Sequence, residues 1–315
     1  MTGRRFGPWV LPLLMLAVLM ALLMMLILYP ARSQRRPELL EMSVISREAD
    51  GSAWATARQG MEQAAADLNV ELRFLYPAQS DSAQEQGRLL RREVESGASA
   101  ILLFPADRET LAEEVRGAAS KAALVTLETN LEGMAGYVGV DNAALGEALG
   151  RAALNGVPRG ETVLLVLAAS ERSGVGDRLA AAEALLRSEG REILYFTGTA
   201  DALAETLSRE KVQAVIAFEA SSLERAAEAA GRLEDPPLLY GAGSTAAITA
   251  GLEQGRITSV LAQNAFSTGY LAVESAARLA RRETAEILDP LPFFTVRREN
   301  MYDPEYQKLL FPVTW

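Results

Sequence analysis

Polar side chains recur in this chain directly behind short apolar runs. Arg47, Glu48 and Asp50 follow LLEMSVIS, Glu128 follows AALVTL, Asp141 follows GYVGV, Glu219 follows VQAVIAF, and Gln263 follows ITSVLA. A carboxylate or a planar guanidinium in such a place can bind two neighbouring hydroxyls at once. Two acids, Glu128 and Glu219, could also supply the acid and the base of a hydrolase. Trp54 stands beside Asp50, Gly51 and Ser52 at the start of an alanine-rich segment. It reads equally as a stacking platform for an apolar ligand face and as a core residue of its helix. Arg178 lies early in GVGDRLAAAEALL, where a cation opposes the helix dipole and is placed against local preference. Its alternative is a pairing with Asp177 or Glu183. For Glu219 the alternative is a solvated residue ahead of a helix cap, for Glu128 the same, and for Gln263 a surface turn. Asn142, and Ser221 or Ser222, fit helix capping and receive no ligand role.

The chain has no Cys and no His, which removes disulfides, thiolate nucleophiles, histidine-bearing metal sites and every His-based triad. Neither a metal nor a cofactor is expected. No Gly-rich phosphate motif follows any strand: SGVG at 173–176 lacks the spacing of a dinucleotide fingerprint.

The elements that must position these residues alternate apolar, strand-sized runs with longer amphipathic segments, a βαβ rhythm. Strands are expected at 39–46, 70–76, 99–104, 122–127, 136–140, 162–168, 192–196, 212–218, 237–241 and 257–262. A helix is expected over 52–68, with Trp54, Ala57, Met61, Ala65 and Leu68 at helical spacing. Strands this uniformly apolar suit parallel sheets covered on both faces, and ligands of such sheets lie beyond the carboxyl ends of the strands. The βα unit repeats in two blocks split near Asp141, and a length of 315 residues itself favours two domains.

The net charge is −10, and residues 1–36 contain five Arg and no acid, so removing those five positive charges leaves −15 on the remainder. Such a body repels nucleic acid. From Trp9 to Tyr29 the sequence carries no charge, and its 21 residues reach roughly 30 Å as a helix, the thickness of a bilayer core. A membrane anchor is expected. Ala31 and Ser33 offer a cleavage site that would instead release a secreted form, but the span is longer than the core of a usual signal peptide. Arginines on both flanks leave the orientation open.

From about residue 38 to 296 the order of elements resembles the periplasmic sugar-binding protein family related to ribose-binding protein, the solute receptors of ABC importers. The resemblance is carried by SREADGSAWATARQGMEQAAADL, SGASAILLFPAD, YVGVDNAALGEALG, GDRLAAAEALL and GLEQGRITSVLAQNAFSTGYLAVESAARL, through their order and spacing. It implies a type I fold: two Rossmann-like α/β lobes with parallel sheets, joined by a three-crossing hinge and here preceded by the N-terminal transmembrane helix. The implied lobes are 38–141 plus 264–290 and 142–263 plus 291–315, with 1–36 as anchor and linker. The tail after residue 296 extends past the family's core, and its aromatic and leucine residues through Trp315 are expected to pack on the second lobe. An extracytoplasmic, monomeric, non-enzymatic receptor is implied, closing on a sugar, sugar derivative or polyol and handing it to an ABC permease. A sensor histidine kinase is the alternative partner. The family's ligand positions fall on Trp54, Glu128, Arg178, Glu219 and Gln263, with Asp50 and Asp141 as further candidates. Ala53 replaces its second aromatic, Thr129 an Arg and Gly243 an Asp. Those two polar losses set this chain apart from a receptor for a free aldopyranose and make a derivative, a polyol or an amine-bearing ligand credible.

Overall fold

A computed structural model describes residues 10–28, 39–51, 54–131, 134, 136–167, 173–283 and 289–311. The linker with Ala31 and Ser33, and the positions Ala53, Glu171, Arg172 and Trp315, lie outside the described residues. Residues 1–39 form one compact unit and residues 40–315 another. In the first unit α1 (Val10–Leu28) is a 19-residue helix without a charge. Among the described residues no helix is long and apolar enough to cross a membrane.

The second unit contains two sheets. Strands β1 (Leu40–Ile45), β2 (Val70–Leu75), β3 (Ala100–Leu103), β4 (Ala123–Leu127) and β5 (Tyr137–Val138) form one, in the order β2-β1-β3-β4-β5, parallel throughout. Strands β6 (Thr162–Val166), β7 (Glu192–Phe196), β8 (Ala214–Ala217), β9 (Leu238–Ala242), β10 (Ser259–Gln263) and β11 (Phe293–Val296) form the other, in the order β11-β10-β9-β8-β6-β7. Strand β11 alone runs antiparallel, pairing Val260 with Val296 and Gln263 with Phe293. Residues 293–296, for which the sequence raises no expectation of a strand, thus supply an edge strand. The fifth expected strand shrinks to Tyr137–Val138. The helix expected from residue 52 is described from Ala55, with Trp54 at its N-cap.

Each sheet is buried on both faces, which is why its strands are apolar at successive positions. In the first sheet Met42, Val44 and Leu102 pack beneath α2 (Ala55–Leu68) and α10 (Ala265–Ala280), while Ile45, Ile101 and Leu103 pack against the layer that includes Leu90 of α3 (Ala83–Glu95) and Val115 of α4 (Ala112–Ala119). In the second sheet, Val163, Leu165 and Ile216 face α5 (Asn142–Leu154) and α6 (Gly174–Ser188). Leu164, Val215 and Leu239 face α7 (Ala200–Arg209), α8 (Ala220–Ala230) and α9 (Ala246–Glu253), with α11 (Pro304–Leu310) at one end of that layer.

Helix α10 comes late in the chain but belongs to the first sheet. Two glycines allow the approach: a Cβ on Gly269 would stand 1.9 Å from the Ala57 carbonyl oxygen, and one on Gly60 would stand 2.0 Å from that of Phe266. The chain thus crosses from β10 into α10 and returns at Leu291, whose N–H donates to the Gly139 carbonyl at 2.8 Å. In the tail, Leu309 and Leu310 are buried against the second sheet. Tyr306 packs edge-on against Phe294, with ring centroids 6.0 Å apart.

Candidate functional site

The carboxyl ends of both sheets open onto one cavity of about 590 Å³, within the usual range for a small-molecule cleft. Five of the seven expected ligand residues line it: Trp54, Glu128, Arg178, Glu219 and Gln263. Asp50 lines a second, more open depression that shares Arg47, Glu48 and Glu219 with the first. Asp141 lines neither described cavity. Its carboxylate is the N-cap of α5, accepting from the Ala144 N–H at 3.0 Å, where it satisfies an orphan backbone donor.

That cap displaces the role expected of Asn142, which is instead buried. Its Nδ2 donates to the Glu128 carbonyl at 2.6 Å, and its Oδ1 accepts from Arg178 Nε at 2.7 Å. The expected serine cap of α8 is also absent: Glu219 is the N-cap residue, without a side-chain cap bond, and Ser222 Oγ donates to Glu219 Oε1 at 3.0 Å.

The hub of the site is Arg47, a residue that sequence reasoning placed behind β1 but did not select. Its Nε donates to Glu128 Oε2 at 3.0 Å, its Nη1 to Asp81 Oδ1 at 2.8 Å and its Nη2 to Glu219 Oε2 at 2.7 Å. Glu48 Oε1 lies farther off, 3.6 Å from Nη2. Arg47 is 7% exposed, so removing it from water is expensive, and only the carboxylates around it hold it charged. The signal for it was available: a cation directly after a fully apolar strand lands at buried depth and must find partners.

Arg178, the cation placed against its helix dipole, is 4% exposed and fully engaged by protein. Besides Asn142 it donates to the Phe218 carbonyl at 2.9 Å and lies 3.5 Å from Glu128 Oε1. Neither Asp177 nor Glu183 is its partner; Asp177 pairs with Arg108, and Glu183 with Arg187.

Glu128 stands between the two arginines on a strained backbone. Its φ is +61°, and the Thr129 N–H donates back to the Leu127 carbonyl at 2.6 Å, closing a three-residue turn that residues other than glycine rarely adopt. The turn aims the Glu128 carbonyl at α6, where a Cβ on Gly174 would stand only 2.2 Å from it. Burial works against ionising Glu128, but Arg47 and then Arg178 outweigh it and hold its carboxyl below the usual range. For Glu48 the balance reverses: burial pushes its carboxyl up to about 7, Arg47 opposes this only in part, and Glu128, Glu219 and Asp81 add to it.

The apolar wall is a pair. Trp54 lies against Phe104, which follows β3, with ring centroids 4.1 Å apart and planes tilted by 46°. Both line the cavity, and both also border the core beneath α2. Phe104 was not anticipated, although it ends SAILLF at the depth where a strand meets the cleft. Leu310 and Phe311 of the tail close another part of the cavity.

Several contacts join the rims of the two sheets. Arg47 pairs with Glu219, Arg178 with Glu128, and Arg108 with Asp177, while the Gly174 N–H donates to Thr129 Oγ1 at 3.0 Å. Two α/β sheets whose carboxyl ends face one cleft, with the chain passing between them more than once, have the architecture of a two-lobe binding protein. The chain belongs to the periplasmic binding protein family, whose sequence profile matches residues 43–284. No curated protein sequence matches it.

Several solved structures share the fold. A carbohydrate transporter solute-binding protein from Agrobacterium radiobacter, in complex with D-arabinose, superposes with a TM-score of 0.79 at 19% identity, covering 87% of this chain and 99% of its own. A carbohydrate transporter from Acidothermus cellulolyticus, in complex with myo-inositol, gives 0.74 at 20% identity, covering 86% and 98%. The XylFII-LytSN complex gives 0.76 at 17% identity, covering 84% and 99%.

Proposed function

We propose that the protein is an extracytoplasmic solute receptor that closes on a small carbohydrate-like ligand and delivers it to an ABC importer. The observation that carries this reading is the cavity at the carboxyl ends of both sheets, where the Trp54–Phe104 wall faces carboxylate, guanidinium and amide groups. An aromatic face covers the apolar side of a sugar ring while planar polar groups take its hydroxyls. The similar structures that hold D-arabinose and myo-inositol favour a ligand of this class.

In this reading the lobes are 38–141 plus 264–290 and 142–263 plus 291–315, a division that agrees with the packing of α10 on the first sheet and of β11 and α11 on the second. Attachment to the cell membrane through the N-terminal segment rests on sequence, on the 21 uncharged residues from Trp9 to Tyr29; the described part, α1, does not by itself reach the length and apolarity of a span. The receptor acts as a monomer and carries no catalytic residue. Glu128 and Glu219 share Arg47, and a carboxyl held low by two guanidinium groups is a poor proton donor. Release of sugar from glycosides would overturn the non-enzymatic reading, and Glu48 would then be the first acid to substitute. The similarity to the XylFII-LytSN complex favours a sensor kinase as the alternative partner. Flanking genes for a kinase and regulator, in place of a permease and ATPase, would decide for it.

A thermal-shift screen of the full-length protein in detergent against pentoses, hexoses, inositols and amino sugars tests the reading. A ligand at 100 times its Kd stabilises the fold by about 2.7 kcal/mol. Trp54→Ala is expected to abolish most of that shift while costing less than the roughly 3–5 kcal/mol typical of a fully buried aromatic. A flat response to every carbohydrate, or a Trp54→Ala protein that melts far lower yet binds as before, contradicts the proposal.

A further inference from the structure

The charges of the cleft do not balance. Among its lining side chains Glu48, Glu128, Glu219 and Glu253 face only two guanidinium groups, those of Arg47 and Arg178. Arg47 also serves Asp81. Glu128 is met by both arginines, Glu219 by Arg47 and Ser222, and Glu253 by the Tyr302 hydroxyl at 2.5 Å. Glu48 has no such partner among the described residues: its nearest guanidinium nitrogen is 3.6 Å away, beyond hydrogen-bond length, and that nitrogen is already committed to Glu219.

A second observation points the same way. Two buried polar atoms on residues that line the cavity, Gln263 Oε1 and Thr249 Oγ1, have no hydrogen-bond partner among the described residues, and Thr249 is 4% exposed. Buried acceptors left unpaired cost free energy until a ligand supplies the donors. A neutral polyol could fill Gln263 and Thr249 but would bring no counter-charge to Glu48. An ammonium group brings N–H donors and a positive charge together.

We propose that the ligand of this cleft is cationic: an amine-bearing, carbohydrate-like molecule whose ammonium group pairs with Glu48 while Trp54 and Phe104 cover its apolar face. The proposal rests on the receptor reading above and narrows its ligand class. The raised pKa of the Glu48 carboxyl comes first from burial; Arg47 offsets this only in part, and Glu128, Glu219 and Asp81 add to it. An ammonium beside Glu48 would hold it ionised.

The test is isothermal titration of the full-length protein in detergent at pH 6.5 with D-glucosamine, D-galactosamine and D-mannosamine, each beside its neutral parent hexose. At least one amino sugar is expected to bind about tenfold or more tightly than its parent, the gain of one charge-assisted hydrogen bond over a neutral one. Glu48→Gln should bring that ratio close to one, and Glu48→Asp, which keeps the charge, should preserve it. Parents that bind as tightly as their amino forms would overturn the charge assignment and leave the receptor reading standing. A Glu48→Gln protein that loses affinity for both series in equal measure would make Glu48 a structural support and likewise overturn it. Binding of neither series would remove the carbohydrate reading as well.

Discussion

At the rim of the first sheet Arg47 divides its three guanidinium nitrogens among Glu128, Asp81 and Glu219. On the second-sheet side, Gln263 and Thr249 line the same cavity, and their Oε1 and Oγ1 have no partner among the described residues. The first region is held by charge, with Glu48 alone beyond hydrogen-bond length of its cation; the second is neutral and unpaired. A buried guanidinium cannot remain unpaired, whereas an amide or hydroxyl oxygen can stay unpaired at a cost of a few kcal/mol. Recognition can therefore be adjusted on the neutral side at little cost to the fold, while changes on the charged side act on both.

The largest effect should come from breaking the charged region at its centre. Arg47→Met leaves Glu128, Glu219, Asp81 and Glu48 without their shared cation, and removing one partner of a buried ion pair costs about 3–5 kcal/mol. Denaturant titration should show that loss. Arg47→Lys should recover little of it, because one ammonium cannot reproduce the three-way fork. Loss below about 1 kcal/mol would place the hub among ordinary surface pairs.

A smaller effect follows from pH. The Glu48 carboxyl rises from 4.5 to about 7 on folding, so the folded state holds that proton more tightly than the unfolded chain. Its contribution to stability therefore declines as pH rises from about 4.5 to about 7 and is level above that. Glu128, held low, contributes in the opposite sense: its stability is present above the ordinary carboxylate value and is lost as pH falls through its own lower one. With the Glu48 side chain 20% exposed, screening reduces its effect to on the order of 2 kcal/mol. Melting temperatures from pH 4.5 to 8 should fall through the window of Glu48, and Glu48→Gln should flatten that segment alone. A slope unchanged by the substitution assigns the titration to another group.

The smallest effect is expected at the edge of the cleft. The Arg108 and Asp177 side chains, 33% and 37% exposed, join the two rims where solvent reaches them. Asp177→Asn should cost about 0–1 kcal/mol of stability. It removes a contact of the closed arrangement only, so the open population should grow, visible as a larger radius of gyration in solution scattering. An unchanged radius would leave closure to Arg47 and the ligand.

Most of the architecture could be read from the order of residues. Strands buried on both faces must be apolar at successive positions, so β1, β3, β4, β6, β8, β9 and β10 announce themselves, and their alternation with amphipathic helices dictates parallel sheets. Strand β11 was hidden, because FFTV is an edge strand whose residues are mostly half-buried and whose pairing with β10 is decided about 30 residues away in sequence. Likewise, the rule that ligands gather beyond strand ends pointed to Glu128, Glu219 and Gln263, and the starts of two helices to Trp54 and Arg178; all five line the cavity, since their positions follow from local chain geometry.

What the order of residues could not reveal is which of these groups meet. Asp141 takes the cap expected of Asn142, while Asn142 is buried and reaches Glu128 across 14 residues. Arg47 joins Glu128 across 81 residues and Glu219 across 172, spans over which no local propensity acts. Burial and hydrogen bonding are demands local to each segment, and they set two α/β halves and the strand ends at which polar groups collect. That Arg47 meets three carboxylates while Glu48 lies 3.6 Å from it was settled in three dimensions, because Coulomb pairing depends on distance in space and on the water excluded when the two rims come together.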